Sequence, residues 1–314
     1  MKYSETLARL KPWMLPIAMV CGLLFHDAME PLQFLAPYLI FAMLLITFCR
    51  IRPSEVRLTA LTWGVVAVQI LGGIGAYFAL APFSKDMAEG VMICILCPTA
   101  TAAPVITAML GGSIATLVAI SILSNFALAV VGPAFLAFVN EGTGLEMSFV
   151  DAFLIILAKV GPMIIGPMVV AFLMLWVAPK AHKALCEHQS VSFYLWAVSL
   201  ILVVGRAVTF ALAEPADRVP EMIGLSLLAG VACVLQFVIG RRIGRRFGDR
   251  IAGAQGLGQK NTVLAVWMAT TYLNPISSIA PAAYIAWQNT INSLQIYRKQ
   301  KNEHIRHTDK SAAV

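Results

Sequence analysis

Ten apolar stretches separated by short charged segments constrain this chain more than any other feature of its sequence. They cover residues 13–25, 34–49, 58–81, 87–110, 113–140, 149–177, 190–213, 220–240, 251–272 and 275–296. About 20 apolar residues make a helix long enough to cross a bilayer, so the pattern predicts ten membrane helices. Of the 314 residues, 59% are hydrophobic and only 12% are charged. A soluble domain carries roughly twice that charge, which excludes an ordinary soluble enzyme.

The lysines and arginines set the predicted orientation, because loops on the cytoplasmic side of a membrane retain positive charge. With the N-terminus in the cytoplasm, 18 of the 23 basic residues fall in cytoplasmic segments. Only Lys85 and Arg218 fall in outer loops, and Lys159, Arg206 and Lys260 lie within spans. The sequence therefore predicts a multi-pass protein with both termini in the cytoplasm.

The net charge of +7 does not indicate a nucleic-acid partner, because the basic residues border the apolar stretches instead of gathering on one soluble face. Four of the six cysteines lie inside apolar stretches, where disulfides and zinc sites would be unusual. We expect no metal and no cofactor, and the lipid bilayer is the first partner that the sequence implies.

The fourth and ninth stretches contain residues that interrupt a helix near the middle of the membrane. The fourth holds the segment CPTATAAP at 97–104, in which Pro98 and Pro104 each remove a backbone donor. The ninth holds Gly256 and Gly258, followed by the polar run QKNT. Irregular backbone at this depth is tolerated only where it is buried in protein or lines a watery cavity. We therefore predict that both helices break at these prolines and glycines and that the breaks face inward.

The two breaks occupy matching places, since each lies in the fourth helix of a group of five. A duplicated unit with an odd number of spans must insert in the opposite orientation, which is the inverted-repeat plan of many secondary transporters. The predicted fold is an all-α membrane protein of ten helices, with one repeat over 1–140, a second over 141–296 and a cytoplasmic tail over 297–314. Two kinked helices that coincide by chance are the alternative.

Polar side chains at the breaks are the candidates for ligand binding, since opened helix ends present unpaired N–H and C=O groups to ions. The candidates for substrate binding are Thr99, Thr101, Asn261, Thr262, Asn289 and Arg206. The candidates for an ion or coupling site are Lys260, Gln259, Gln69, Ser121, Ser124, Asn125 and Gln288. Ser and Thr also hydrogen-bond structurally between membrane helices, and this alternative stays open for each of them.

The charged residues within the spans limit the kinds of ion coupling that the sequence allows. None of the 16 carboxylates lies in the middle of a stretch, whereas a proton antiporter of the usual kind needs a buried Asp or Glu. Lys260 lies in mid-span beside a break and cannot easily reach an interface, so we interpret it as functional. For Lys159 and Arg206 a structural role stays open, because both could extend toward water.

At the two breaks the sequence resembles the bile acid:sodium symporter family, which includes apical bile acid transporters and their bacterial homologues. CPTATAAP at 97–104, GLGQKNT at 256–262, WQN at 287–289 and Gln69 carry the resemblance. It implies a panel domain of helices one, two, six and seven, and a core domain of helices three to five and eight to ten. It further implies a bacterial inner-membrane location, crossing of helices four and nine, and alternating access to an organic anion.

The sequence departs from sodium-coupled members of that family at the crossing. The fourth-helix motif commonly ends in Ser-Asn, where Ala103 and Pro104 stand, and the ninth-helix motif commonly has Glu where Gly256 stands. Lys260 replaces a Gln. We expect its ammonium to take the place of the bound sodium, donating to Thr and Asn oxygens and to helix-end carbonyls. Two alternatives stay open: Lys260 is a permanent cation, or it exchanges a proton and couples transport to pH.

The sequence therefore predicts a sodium-independent secondary transporter of a small organic anion, and a conventional sodium symporter with displaced sites is the alternative. A membrane-embedded enzyme would need a Ser-His pair, paired Asp or metal ligands at membrane depth, and the spans supply none. A receptor or scaffold is expected to carry a soluble output domain, and the 18 residues over 297–314 are too few for one.

Overall fold

The computed structural model describes residues 14–49, 57–100, 103–141, 149–213 and 215–312, and the regular elements in these ranges are helices. The first half contains α1 (Met14–Leu24), α2 (His26–Met29), α3 (Ala36–Cys49), α4 (Ala60–Leu80), α5 (Lys85–Leu96), α6 (Ala103–Leu110) and α7 (Ile114–Glu141). The second half contains α8 (Phe149–Val177), α9 (Pro179–Glu187), α10 (Gln189–Ala213), α11 (Val219–Arg246), α12 (Arg250–Gly258), α13 (Thr262–Tyr272) and α14 (Ile279–Ala312). Three short 3-10 helices, Glu30–Leu35, Ala216–Arg218 and Pro275–Ser278, lead into α3, α11 and α14.

Several of these helices are long and apolar enough to cross a membrane. In the described ranges, four segments reach full length by this measure, namely His26–Cys49, Ala60–Leu80, Ile114–Val139 and Ala216–Arg246. Shorter apolar helices run over Ile165–Val177, Ala197–Ala213 and Thr262–Tyr272. Many large apolar side chains on these helices are exposed on the protein surface, as a lipid-facing helix requires. The chain is therefore a membrane-embedded helical protein.

The fourth and ninth stretches are each divided into two helices. α5 ends at Leu96 and α6 begins at Ala103, while α12 ends at Gly258 and α13 begins at Thr262. Pro98 lies in the non-helical segment, but Pro104 is the second residue of α6, where its missing N–H costs nothing. Gly256 and Gly258 also lie inside a helix, in the last turn of α12. Three of the four predicted hinge residues thus border the breaks and are not in them.

Two helices extend beyond the predicted spans. α11 continues past Gly240 to Arg246, and α14 continues past Ile296 to Ala312, so the predicted tail is largely helical. The tail is rich in Arg, Lys, Gln and Glu, which have high helix propensity and need no apolar environment. α9 is an additional short helix between two predicted spans.

The helices pack as two groups. In the first group α10 packs against α1 and α3, and α3 packs against α8. In the second group α4 packs against α5 and α7, while α11 packs against α5, α12 and α14. The groups meet where α7 packs against α8 and where α10 packs against α13.

The closest packing in the second group joins α11 to α12. A Cβ at Gly253 would overlap the carbonyl oxygen of Gly240, and a Cβ at Gly244 would overlap that of Asp249. Glycine is required at these positions for space, because the two backbones approach each other directly. α11 and α12 therefore form a tight antiparallel hairpin around the turn at Gly248, whose φ is +87°.

Polar clusters lie at the two ends of the second group. In the Arg218 cluster, the Arg218 guanidinium pairs with Asp86 and with Glu221 (3.0 Å), and the Asn274 side chain donates to Asp86 (2.8 Å). In the Asp249 cluster, Asp249 accepts from the Ser113 amide (2.9 Å) and caps α12. The clusters join loops that the sequence predicts to lie on opposite sides of the membrane.

Candidate functional site

The two non-helical segments lie against each other in the interior of the second group. Thr99 and Lys260 form an antiparallel β-bridge. The Ala100 amide donates to the Gln259 carbonyl, and the Asn261 amide donates to the Pro98 carbonyl, both at 2.8 Å. This pairing satisfies main-chain groups that neither broken helix can satisfy alone, and we call the paired segments 97–100 and 259–261 the crossing.

The last carbonyl groups of α5 lack helical partners and accept hydrogen bonds from side chains. The Lys260 ammonium donates to the Ile95 oxygen at 2.8 Å. The Gln69 amide, on α4, donates to the Leu96 oxygen at 2.7 Å. One predicted coupling residue from each half of the chain therefore caps the C-terminal end of α5.

The last carbonyl groups of α12 are satisfied in the same way. The Thr99 hydroxyl donates to the Gly256 oxygen at 2.7 Å, and the Tyr284 hydroxyl donates to the Gly258 oxygen at 2.8 Å. The C-terminal ends of α5 and α12 thus converge on the crossing, and each is capped by a side chain from the other half of the chain or from α14. Both ends carry partial negative charge.

Lys260 places a positive charge between these two helix ends. Its side chain is only 1% exposed, and the buried thiols of Cys94, Cys97 and Cys233 are among its neighbours. In the described ranges no carboxylate pairs with Lys260. A cation at a helix C-terminus is electrostatically favourable, because the partial negative charge of the helix end stabilises it as a counter-ion would. The ammonium donates to a main-chain carbonyl, whereas we also expected Thr and Asn oxygens as acceptors.

A chain of hydrogen bonds links Gln69 to Thr99 through Ser124. The Ser124 hydroxyl donates to the Gln69 side-chain oxygen at 2.6 Å and accepts from the Thr99 amide at 3.2 Å. The next residue of α7, Asn125, donates from its side chain to the Ser121 carbonyl one turn earlier (2.8 Å), and its side-chain oxygen is buried without a partner among the described residues. Gln69 and Ser124 therefore lie beside the crossing, whereas the described hydrogen bond of Asn125 joins it to Ser121 on its own helix.

The remaining predicted residues of the second half differ in their contacts and burial. The Gln288 side chain accepts from the Lys260 amide at 2.9 Å. Asn261 caps α13 by accepting from the Leu264 amide at 3.2 Å, and its side-chain NH₂ is buried with no partner among the residues that the structure describes. Gln259 and Thr262 are buried, whereas Asn289 is half-buried.

Gly256 and Gly258 allow close packing at the crossing. A Cβ at Gly256 would come within 3.0 Å of Ile120, and one at Gly258 would come within 3.0 Å of the Phe237 ring. These glycines leave space for the neighbouring side chains. They do not need to interrupt the helix to do so, and both lie inside α12.

Arg206 does not join the crossing residues. It is half-buried on α10, and its guanidinium donates to the Thr270 carbonyl at 3.3 Å. Thr270 is eight residues beyond Thr262, or about 12 Å along α13. Arg206 therefore bridges the two helix groups at the far end of α13.

Thr101 lies outside the described residues, and Lys159 lies on α8 at a position whose side chain is not described.

Sequence reasoning missed two buried polar residues of the second helix group, Tyr284 and Glu89. Tyr284 on α14 is fully buried and also accepts from the Gln236 side chain at 2.9 Å. Glu89, near the start of the fourth stretch, is 2% exposed and accepts from the Asn274 amide at 2.9 Å. For Tyr284 a signal was present, because it lies four residues before Gln288 and therefore on the same face of α14.

Comparisons with known proteins give one similarity of note. No protein-family model matches the chain. Over 247 residues the chain is 24% identical to a Bacillus subtilis (strain 168) protein named "Uncharacterized sodium-dependent transporter YocS", and the match covers 72% of each chain. This similarity agrees, at the level of sodium-dependent transporters, with the resemblance drawn from the sequence motifs.

Proposed function

We propose that this protein is a secondary transporter of a small organic anion that works by alternating access without bound sodium. In this proposal ten helices form two inverted five-helix repeats, and the chain is a divergent relative of the bile acid:sodium symporter family. The first helix group acts as the panel domain and the second as the core domain. The similarity to a protein named as a transporter supports the general activity.

The observation that carries the proposal is the burial of Lys260 between two helix C-termini. A fixed cation at this point performs the electrostatic task of a bound ion, because it stabilises converging partial negative charges. The chemistry of such a site therefore does not require an exchangeable cation to hold the crossing together.

Sodium is disfavoured in the proposal for two reasons. It needs several oxygen ligands, and the carbonyls of Ile95, Leu96, Gly256 and Gly258 already accept hydrogen bonds from protein side chains. A sodium ion about 4 Å from the ammonium would also be repelled by about 4 kcal/mol at an effective dielectric near 20.

An anionic substrate is consistent with the donors near the crossing. Within the described ranges, the NH₂ group of Asn261 is buried without a hydrogen-bond partner at the N-terminal end of α13, which carries partial positive charge. We propose that a carboxylate or sulfate group approaches this donor, with Asn289 and Thr262 nearby. In the proposal Arg206 acts at the boundary of the two domains, where the substrate enters.

Uptake into proteoliposomes tests the function. Radiolabelled organic anions, including bile acids, steroid sulfates and short carboxylates, are offered with sodium and pH gradients imposed separately. We expect saturable uptake of one class that continues in choline buffer and is abolished in Lys260→Ala. Absence of saturable uptake for all anions would contradict the proposal.

A conventional sodium symporter is the second candidate, and the name of the Bacillus relative favours it. Under this alternative, uptake by the unmodified protein requires a sodium gradient and fails in choline. Lys260→Gln, which places the residue of sodium-coupled family members at this position, separates the two candidates. Under the first proposal, uptake by the unmodified protein does not depend on sodium. Uptake by Lys260→Gln then either requires sodium or no longer changes with pH.

A further inference from the structure

One face of α14 forms a polar stripe between the crossing and the Asp249 cluster. Gln288, Asn292, Gln295 and Lys299 lie within an arc of about 60° when 3.6 residues make a turn. From Gln288 to Lys299 the stripe is about 16 Å long, which is roughly half the thickness of a bilayer core. Residues on the other side of the helix, such as Leu294 and Tyr297, are 50% and 62% exposed.

Every residue of the stripe contacts a polar group of another element. Gln288 accepts from the Lys260 amide, and Lys299 donates to the Met109 carbonyl at the end of α6 (3.0 Å). Between them the Gln255 side chain, on α12, donates to Asn292 (3.1 Å) and to Gln295 (3.3 Å). The stripe therefore connects Lys260 to the end of the molecule that carries Arg250 and Lys299.

The middle of the stripe contains buried polar atoms that no described residue satisfies. The Gln255 oxygen and the Asn292 NH₂ group have no hydrogen-bond partner in the described part of the chain, although the two residues are 0% and 4% exposed. Reversing the side-chain amides exchanges the roles of donor and acceptor but still leaves one atom of each residue unpaired. Buried polar groups of this kind are ordinarily satisfied by water, which accepts from one and donates to the other.

We propose that the stripe, together with Gln255, is a hydrated route by which water and protons reach Lys260 from the Asp249 cluster. Exposure increases along it, from 1% at Gln288 and 4% at Asn292 to half-buried at Gln295 and Lys299. The role of this route in supplying protons to Lys260 rests on the proposed function. The hydration of the route can be measured without measuring transport.

Thiol labelling in proteoliposomes tests the route. Asn292→Cys and the matched control Leu294→Cys, at nearly the same depth on the opposite face, are exposed to a membrane-impermeant cationic methanethiosulfonate added on one side at a time. Peptide mass spectrometry identifies which cysteine reacts. Only a hydrated thiol forms the reactive thiolate, so we expect Asn292→Cys to react at least about tenfold faster, and from the Lys299 side.

Adding Gln295→Leu to Asn292→Cys should slow the reaction, since it replaces a polar group between the thiol and the surface. If Asn292→Cys does not fold, Gln295→Cys serves as the reporter against the same control. Equal labelling rates on the two faces, or labelling only from the opposite side, would overturn the proposal. If labelling follows the expected pattern but no anion is taken up, the route stands and the proposed transport falls.

Discussion

At the scale of single residues, Lys260 provides the first test of the crossing. Lys260→Ala removes the donor to Ile95 and leaves two buried helix ends without a cation. An unsatisfied buried polar group costs about 1–3 kcal/mol, so we expect a clearly lowered temperature of unfolding in detergent micelles. The control is Lys183→Ala, because the Lys183 side chain is 78% exposed. Equal unfolding temperatures for both variants would show that Lys260 does not stabilise the crossing.

Thr99 offers a second test, because its hydroxyl contributes one defined bond. Thr99→Val keeps the shape of the side chain but leaves the Gly256 carbonyl unpaired, at an expected cost of about 1–3 kcal/mol. Thr99→Ser retains the hydroxyl and should recover most of the lost stability and uptake. If the valine and serine variants behave alike in thermal unfolding, this hydrogen bond is unimportant.

Individual residues also mark the limit of sequence reasoning. Pro98 and the polar run at 259–262 located both breaks correctly, because proline and clustered polar side chains are costly inside a membrane helix. The particular acceptor of the Lys260 ammonium could not be predicted in the same way. A helix-end carbonyl was expected among the acceptors, and the Ile95 carbonyl is one, but the sequence carries no signal for which carbonyl a distant side chain will reach.

At the scale of helices, the hairpin of α11 and α12 depends on glycine. Gly253→Ala would push a methyl group into the Gly240 backbone, so the helices must separate and their packing around Lys260 is lost. We expect a cost of several kcal/mol, above the 1–3 kcal/mol that is typical of overpacking, and a failure of uptake. The measurement is thermal unfolding together with radiolabelled uptake.

Gly75→Ala is the matched control for Gly253→Ala. A Cβ at Gly75 meets nothing within 4 Å, and alanine in a helix interior is more favourable than glycine by about 0.5–1 kcal/mol. The control should therefore be neutral or slightly stabilised. A Gly253→Ala protein as stable as the control would contradict the close approach of the two backbones.

At the scale of the whole molecule, the proposed independence from sodium can be tested on the unmodified protein. A ligand that binds only the native state raises stability in proportion to RT ln(1 + [L]/Kd), so binding appears as a shift in unfolding temperature. We expect identical unfolding temperatures in sodium chloride and choline chloride at equal ionic strength. A shift specific to sodium would support the symporter alternative, and Lys260→Gln is the variant in which such a shift is expected.

The features of the fold that depend on composition could be predicted from the sequence. Those that depend on packing between distant residues could not. The apolar stretches and the sparse charges between them foretold a membrane-embedded helical chain, since few other folds tolerate such a sequence. The extension of α14 to Ala312 was not foreseen, because a polar helix leaves no apolar pattern to detect. The Arg218 cluster was also missed, as its members come from three separate loops.

The pairing of the crossing has a consequence for biosynthesis. Ile95 and Lys260 are 165 residues apart, so a ribosome needs about 10–30 s to produce the second after the first. During that interval the carbonyl groups at the end of α5 have none of their final partners from α12 to α14, and lipid offers no substitute. The first half must therefore wait at the insertion machinery or in a provisional arrangement until the ninth stretch arrives. A nascent chain that stops before residue 250 is left with polar backbone in the membrane, which makes it a natural substrate for cellular quality control.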